Sequence, residues 1–158
     1  MRRIRLGVGS ALAAGTLAVT GLAFAPTALA VTPETATINA SCTIGGAGAA
    51  TLTATQSGTT ATVTLTSEEI TAPIALAEDS IQSTLTFVKA GGGTTAFTGT
   101  ENPALAAGDG MVVGPLTGTV APGDSLEAYG GSLQMVVFGI TVTCTASGPQ
   151  SPGPFVFD

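Results

Sequence analysis

The stretch TLTATQSGTTATVTLTS, residues 51–67, decides the fold class. Threonine alternates with apolar residues on both sides of Ser57-Gly58, which we place at a tight turn. This register pairs apolar with apolar residues: Ala54 with Ala61 and Leu52 with Val63. Because side chains of a strand alternate between two faces, this sorting predicts a β-hairpin with one buried and one solvated face.

Runs of the same kind follow along the chain, separated by glycine and proline. They include STLTFV (83–88), TTAFTG (94–99) and PLTGTV (115–120), with a turn at Gly91-Gly92-Gly93. SLQMVVFGITVTC (132–144) is interpreted as one strand, covered on both faces from Met135 to Phe138 and alternating from Ile140 to Cys144, with a bulge or bend at Gly139. NPALAAG (102–108) could form one or two helical turns. The pattern predicts an all-β antiparallel β-sandwich of about seven to nine short strands, immunoglobulin-like in the loose sense but without its tryptophan.

The N-terminus predicts export. MRRIRLG carries three arginines, an apolar stretch follows, and Ala28 and Ala30 have the small-x-small spacing of a cleavage site. We interpret residues 1–30 as a signal peptide and expect Val31 to be the first residue of the exported protein. The arginine pair leaves Sec and twin-arginine export open. The expected domain organisation is therefore a signal peptide (1–30), a β-sandwich domain (31–147) and a Pro/Gly-rich tail (148–158).

Charge excludes some partners of the exported chain. Ten acidic side chains remain after residue 30 against a single cation, Lys89. Nucleic acids and anionic membranes bind clustered lysine and arginine, so neither is an expected partner. The apolar fraction of 44% and the regular alternation predict a packed domain rather than disorder. The expected location is outside the cell, either released or held noncovalently at the cell wall.

The two cysteines, Cys42 and Cys144, predict a disulfide. An even cysteine count in an exported chain favours a bridge, and both residues lie in the apolar phase of an alternating segment. Their strands should be neighbours in one sheet or face each other across the sandwich. Zinc is the weaker alternative because the chain has no histidine, and the spacing is not that of a redox C-x-x-C pair.

Candidate catalytic chemistry is limited to carboxylates. Without histidine, a Ser-His-Asp or Cys-His site is impossible. A hydrolase with paired acids would draw on Glu68, Glu69, Glu101 and Glu127. Calcium would draw on Glu68-Glu69, Glu78-Asp79 and the GDG sequence at 108–110. Acids that serve only solubility are the simpler interpretation, so we expect no enzyme activity, no catalytic or metal-binding residues and no cofactor.

A resemblance covers most of the exported chain. SCTIGG, threonine-rich strands, ITAPIALAEDSI, VGPLTGTVAPGDSLEAYGG and a late VTCTASG follow the signal peptide in that order. The chain resembles secreted actinobacterial β-sandwich proteins of unknown function. The resemblance implies an extracellular sandwich with a Cys–Cys bridge and brings no catalytic residues.

The predicted function is a noncatalytic module outside the cell or in its envelope. Its role would be structural or the binding of an extracellular or envelope protein or polymer. The alternatives are a ligand- or calcium-binding module and, third, a carboxylate-based hydrolase. A groove with converging carboxylates would favour the enzyme, whereas a flat apolar patch, or exposed Phe155 and Phe157, would favour protein–protein contact.

Overall fold

The computed structural model describes residues 31–158, and every regular element in that range is a β-strand. The signal peptide predicted for residues 1–30 lies outside the described residues. All strand pairs are antiparallel. The strands are β1 (Thr35–Cys42), β2 (Ala47–Ser57), β3 (Thr60–Thr71), β4 (Gln82–Lys89), β5 (Thr94–Gly99), β6 (Gly110–Thr119), β7 (Ser125–Val137), β8 (Ile140–Ala146) and β9 (Phe155–Val156).

Eight strands close into a barrel. Their order is β4-β5-β6-β3-β2-β1-β8-β7, and β7 pairs again with β4 to complete the ring, while β9 lies beside the start of β7. The all-β prediction is confirmed, but the antiparallel β-sandwich is wrong. A sandwich leaves two separate sheets with free edges, whereas here the outer strands of the sheet pair with each other.

Bulges with glycines allow the ring to close. The β3–β6 register shifts between Val63 and Leu65, beside Gly114, whose φ is 113°. A Cβ at Gly114 would lie 2.7 Å from the carbonyl oxygen of Val63, so only glycine fits there without movement. A second shift, between Thr86 and Val88 of β4, lies opposite the glycine pair in β7. Such bulges bend a strand and increase its twist, which closure of a small barrel requires.

Apolar side chains fill the barrel interior. The ring of Phe87 packs edge-on against those of Phe97 and Phe155, with centroids 5.5 and 6.1 Å apart. A depression beside Leu133 and Cys144 has a volume of only about 20 Å³, which is too small for an organic ligand.

The predicted disulfide is present between Cys42 and Cys144. The two residues are direct cross-strand partners in β1 and β8, with Cα atoms 3.9 Å apart. Of the two arrangements that the sequence left open, neighbouring strands of one sheet is therefore the one adopted. The bridge links the neighbouring strands β1 and β8 covalently.

The hairpin of β2 and β3 differs from the prediction by two residues. Its turn is Gly58-Thr59, so Ala54 pairs with Val63 and Leu52 pairs with Leu65. The predicted turn at Ser57-Gly58 is wrong, but the predicted faces are correct. A shift of two residues preserves the alternation, so the polar–apolar pattern cannot distinguish the two registers.

The segment 132–144 is a hairpin rather than one strand. β7 ends at Val137, and a two-residue turn at Phe138-Gly139 leads into β8. Both turn residues have positive φ, 49° and 78°, as the tight turns that match the strand twist require. The predicted bulge at Gly139 was therefore a chain reversal. The helical turns suggested for residues 102–108 are also wrong, because Leu105 forms a β-bridge with Leu76.

The C-terminal segment is part of the core. Phe155 and Phe157 are fully buried, and Gln150 accepts a hydrogen bond from the Ala128 N–H. This end of the barrel also holds the ion pair between Lys89 and Asp124, at 3.0 Å. The Ala121 N–H, together with Lys89, holds the pKa of the Asp124 carboxyl below its ordinary value, although burial opposes this.

Candidate functional site

An apolar groove of about 250 Å³ lies at the other end of the barrel. It is bordered by the β1–β2 loop, the β3–β4 connection and the β7–β8 hairpin. The only polar side chain of its lining is that of Thr71. The lining residues are Ile44, Ile70, Thr71, Pro73, Ile74, Leu76, Met111, Met135, Val137, Phe138, Ile140 and Val142.

Exposed apolar side chains are concentrated around this groove. Six large apolar side chains of residues 31–158 are exposed, and four of them line it. Phe138 is 75% exposed and Ile140 is 57% exposed, on either side of Gly139 in the tight hairpin. Ile44 and Ile74 complete the rim. A contiguous exposed apolar surface of this kind is typical of a binding site, whereas isolated exposed residues are not.

A wide bulge in β3 shapes the floor of the groove. Ser67 pairs with Met111 and Thr71 with Gly110, so the residues between them have no partners on β6. The buried Ser67 hydroxyl donates to the Ala49 carbonyl at 2.7 Å and accepts from the Ile70 N–H at 2.9 Å. These bonds turn Ile70 into the groove. Bulges often redirect side chains in this way at barrel rims and beside functional sites.

The wall formed by the β3–β4 connection is held by Asn102. This side chain is buried, and its Oδ1 accepts from the N–H groups of Ser80 and Ile81, both at 2.9 Å. Its Nδ2 donates to the carbonyls of Ala77 and Pro103, at 2.8 and 2.7 Å. Four bonds from one amide thus fix the segment that carries Ile74 and Leu76 to the segment before β6.

Replacing Asn102 with alanine should lower the free energy of unfolding by about 3 kcal/mol, because buried backbone groups would lose their partners. Urea unfolding measures this loss. Asn39→Ala is the matched control, because Asn39 is exposed on β1; its change should stay within about 0.5 kcal/mol. Equal losses of unfolding free energy for the Asn102 and Asn39 variants would contradict the structural role assigned to the Asn102 hydrogen bonds.

A second, polar groove of about 220 Å³ lies on the outer side of the same bulge. The Glu69 carboxylate lies over Gly48 and accepts from the Ala49 N–H at 2.7 Å. Glu68 lies against Gly110. A Cβ atom placed on that glycine would be 3.3 Å from the Glu68 Oε2. The groove is lined by Ala49, Thr51, Thr66, Ser67, Glu68 and Glu69.

The other candidate acids lie apart from one another, and three of them accept hydrogen bonds from backbone N–H groups. Glu101 accepts from the Thr100 N–H, and Glu127 accepts from the N–H groups of Tyr129 and Gln150. Asp109 accepts from the Ala106 N–H at 2.7 Å, while Glu78-Asp79 lies in the exposed part of the β3–β4 connection. Within residues 31–158 no three acidic or cysteine side chains are grouped so that they could hold a metal ion.

The groove was not predicted from the sequence. Phe138 was predicted to lie in a strand covered on both faces, Ile140 on the inward face of the segment that ends at Cys144, and Asn102 at the start of one or two helical turns. The signal for the hairpin was the glycine at 139 between two apolar runs, which favours a tight turn with positive φ. The hydrophobicity of Phe138 concealed that signal, because turn tips are usually polar.

Comparison with known proteins adds no family to this description. No protein-family model, curated protein or solved structure matches the chain. Among residues 31–158 there is also no helix with the length and hydrophobicity needed to span a bilayer. The site must therefore be interpreted from its own geometry.

Proposed function

We propose that the chain is an exported, noncatalytic module that binds a partner protein through the apolar groove. One observation carries this proposal: four of the six exposed large apolar side chains of the described residues surround a single groove at one barrel end. Interfaces depend on a few large apolar or aromatic side chains that enter well-packed pockets of the partner. The groove offers such a pocket, with Phe138 beside it.

The size of the groove favours a protein segment over a small molecule. Its volume of about 250 Å³ lies below the roughly 300–1,000 Å³ typical of pockets for organic ligands. It also opens to solvent between three loops rather than enclosing its contents. Such a space suits one or two large side chains of a partner, which a surrounding interface would shield from water.

The hydrogen bonds of the candidate catalytic acids support a noncatalytic role. Glu69, Glu101 and Glu127 each accept hydrogen bonds from backbone N–H groups, as structural caps do. The apolar groove itself is lined by no carboxylate. General acid–base chemistry requires a proton-transferring group within hydrogen-bond reach of a bound substrate.

Export is the second part of the proposal. The disulfide between Cys42 and Cys144 supports it, because such bridges persist mainly in oxidising compartments. Mass spectrometry of protein recovered from the medium should find Val31 at its N-terminus. A membrane-bound product that retains residue 1 would contradict this part.

Binding through the groove is tested with peptides displayed on phage. A random 12-residue library is selected on the purified protein, expressed from the full chain, and recovered peptides are titrated against variants. Phe138→Ser should weaken their binding by about 30-fold or more, the usual effect at an interface hot spot. Tyr129→Ser is the matched control, because Tyr129 is also exposed but does not line the groove. Failure to recover any peptide that depends on Phe138 would contradict the proposed function.

A further inference from the structure

The apolar and polar grooves meet at consecutive residues of β3. Ile70 lines the apolar groove, and Glu69, which precedes it, lines the polar groove together with Glu68. The β3 bulge therefore separates two adjacent surfaces of opposite character. A single extended segment could cross it and contact both, because an extended chain rises about 3.3 Å per residue.

The charge at this end of the barrel is negative. Glu68 lies against Gly110, which follows Asp109 and precedes the groove residue Met111. The only cation of residues 31–158 is Lys89, and it is paired with Asp124 at the opposite end. No described cation therefore neutralises the acids beside the groove.

We propose that the partner segment is basic as well as apolar. A large apolar side chain enters the apolar groove, and a lysine or arginine within about three residues of it enters the polar groove between Glu68 and Glu69. The guanidinium or ammonium group pairs with the two carboxylates, while the apolar side chain supplies most of the affinity. This inference rests on the proposed function and adds the charge of the partner to it.

The same acids exclude other occupants. A second copy of this chain would bring the same negative end to the interface, and like charges across an interface cost affinity. An anionic lipid surface would be repelled for the same reason. Charge complementarity therefore selects a basic peptide segment.

The phage selection tests this inference through the composition of the recovered peptides. Lysine and arginine should be enriched at least about twofold within three residues of the apolar anchor, because paired charges favour binding. The double variant Glu68→Gln with Glu69→Gln should weaken binding of these peptides by roughly two- to tenfold at low salt, as expected for partly exposed ion pairs. Raising the salt concentration should reduce this difference.

The matched control is Glu34→Gln with Asp158→Asn, which removes the same charge far from the groove and should leave affinity unchanged. Phe138-dependent peptides without basic enrichment, or equal binding to the Glu68/Glu69 variant, would overturn the inference while the proposed function stands. Stronger binding to phosphatidylglycerol vesicles than to the peptides would also overturn it. Recovery of no Phe138-dependent peptide would instead contradict the proposed function itself.

Discussion

Replacing Phe87 with alanine should lower the free energy of unfolding by about 3–5 kcal/mol, the usual cost of removing a fully buried aromatic side chain. Phe87 has no exposed surface, and its ring contacts Phe97 of β5 and Phe155 of β9. The substitution would therefore leave a cavity where three strands meet. Two edge-to-face aromatic contacts would be lost as well, each contributing about 0.5–1.5 kcal/mol.

Urea unfolding followed by circular dichroism measures this loss of unfolding free energy. Circular dichroism is used because the chain has no tryptophan whose fluorescence could report unfolding. Phe138→Ala is the matched control, because the same side chain is removed from a position that is 75% exposed. Its effect should be within about 0.5 kcal/mol. If both phenylalanine variants lost the same stability, the packing of Phe87 in the barrel interior would be wrong.

Removing the disulfide should lower stability by about 2–5 kcal/mol, the usual loss for a native bridge in a small secreted domain. The bridge joins residues 102 positions apart, so the unfolded chain gains considerable freedom when it is broken. Cys42→Ala with Cys144→Ala is compared with wild-type protein in the presence and absence of reductant. Reduction should destabilise the wild type and leave the double variant unchanged.

The same bridge lies beside the apolar groove. Thr43 follows Cys42, and its N–H donates to the Thr143 carbonyl at 3.0 Å, while Ile44 and Val142 line the groove. We therefore expect the loss of the bridge to weaken peptide binding as well as stability. Stability that is independent of reductant, or two titratable thiols in protein folded under oxidising conditions, would contradict the prediction.

The C-terminal phenylalanines do not belong to the exposed apolar surface. Exposed Phe155 and Phe157 would have favoured a protein contact at the tail, but both are buried against the barrel. The exposed apolar surface is instead formed by loops at the opposite end. The same class of function is thus proposed for a different part of the molecule from the one the sequence suggested.

The sequence by itself determined the all-β class, the buried faces of the strands and the disulfide. Alternation in residues 51–67 identified the inward residues of β2 and β3 correctly, because a period of two assigns each side chain to a face. TTAFTG was recognised with its observed bounds, since Gly91-Gly92-Gly93 interrupts the pattern before it. Cys42 and Cys144 were paired because the chain offers each no other cysteine.

Only the tertiary structure decided how the strands are arranged. Alternation states which face of a strand is buried but not which strands are neighbours, so the same pattern fits a sandwich and a barrel. The closing contact joins Leu85 to Leu133, far apart in the chain, and it depends on glycine bulges that bend β6 and β7. The groove follows from that closure, because Ile44, Ile74 and Phe138 come together only when their loops meet at one end of the ring.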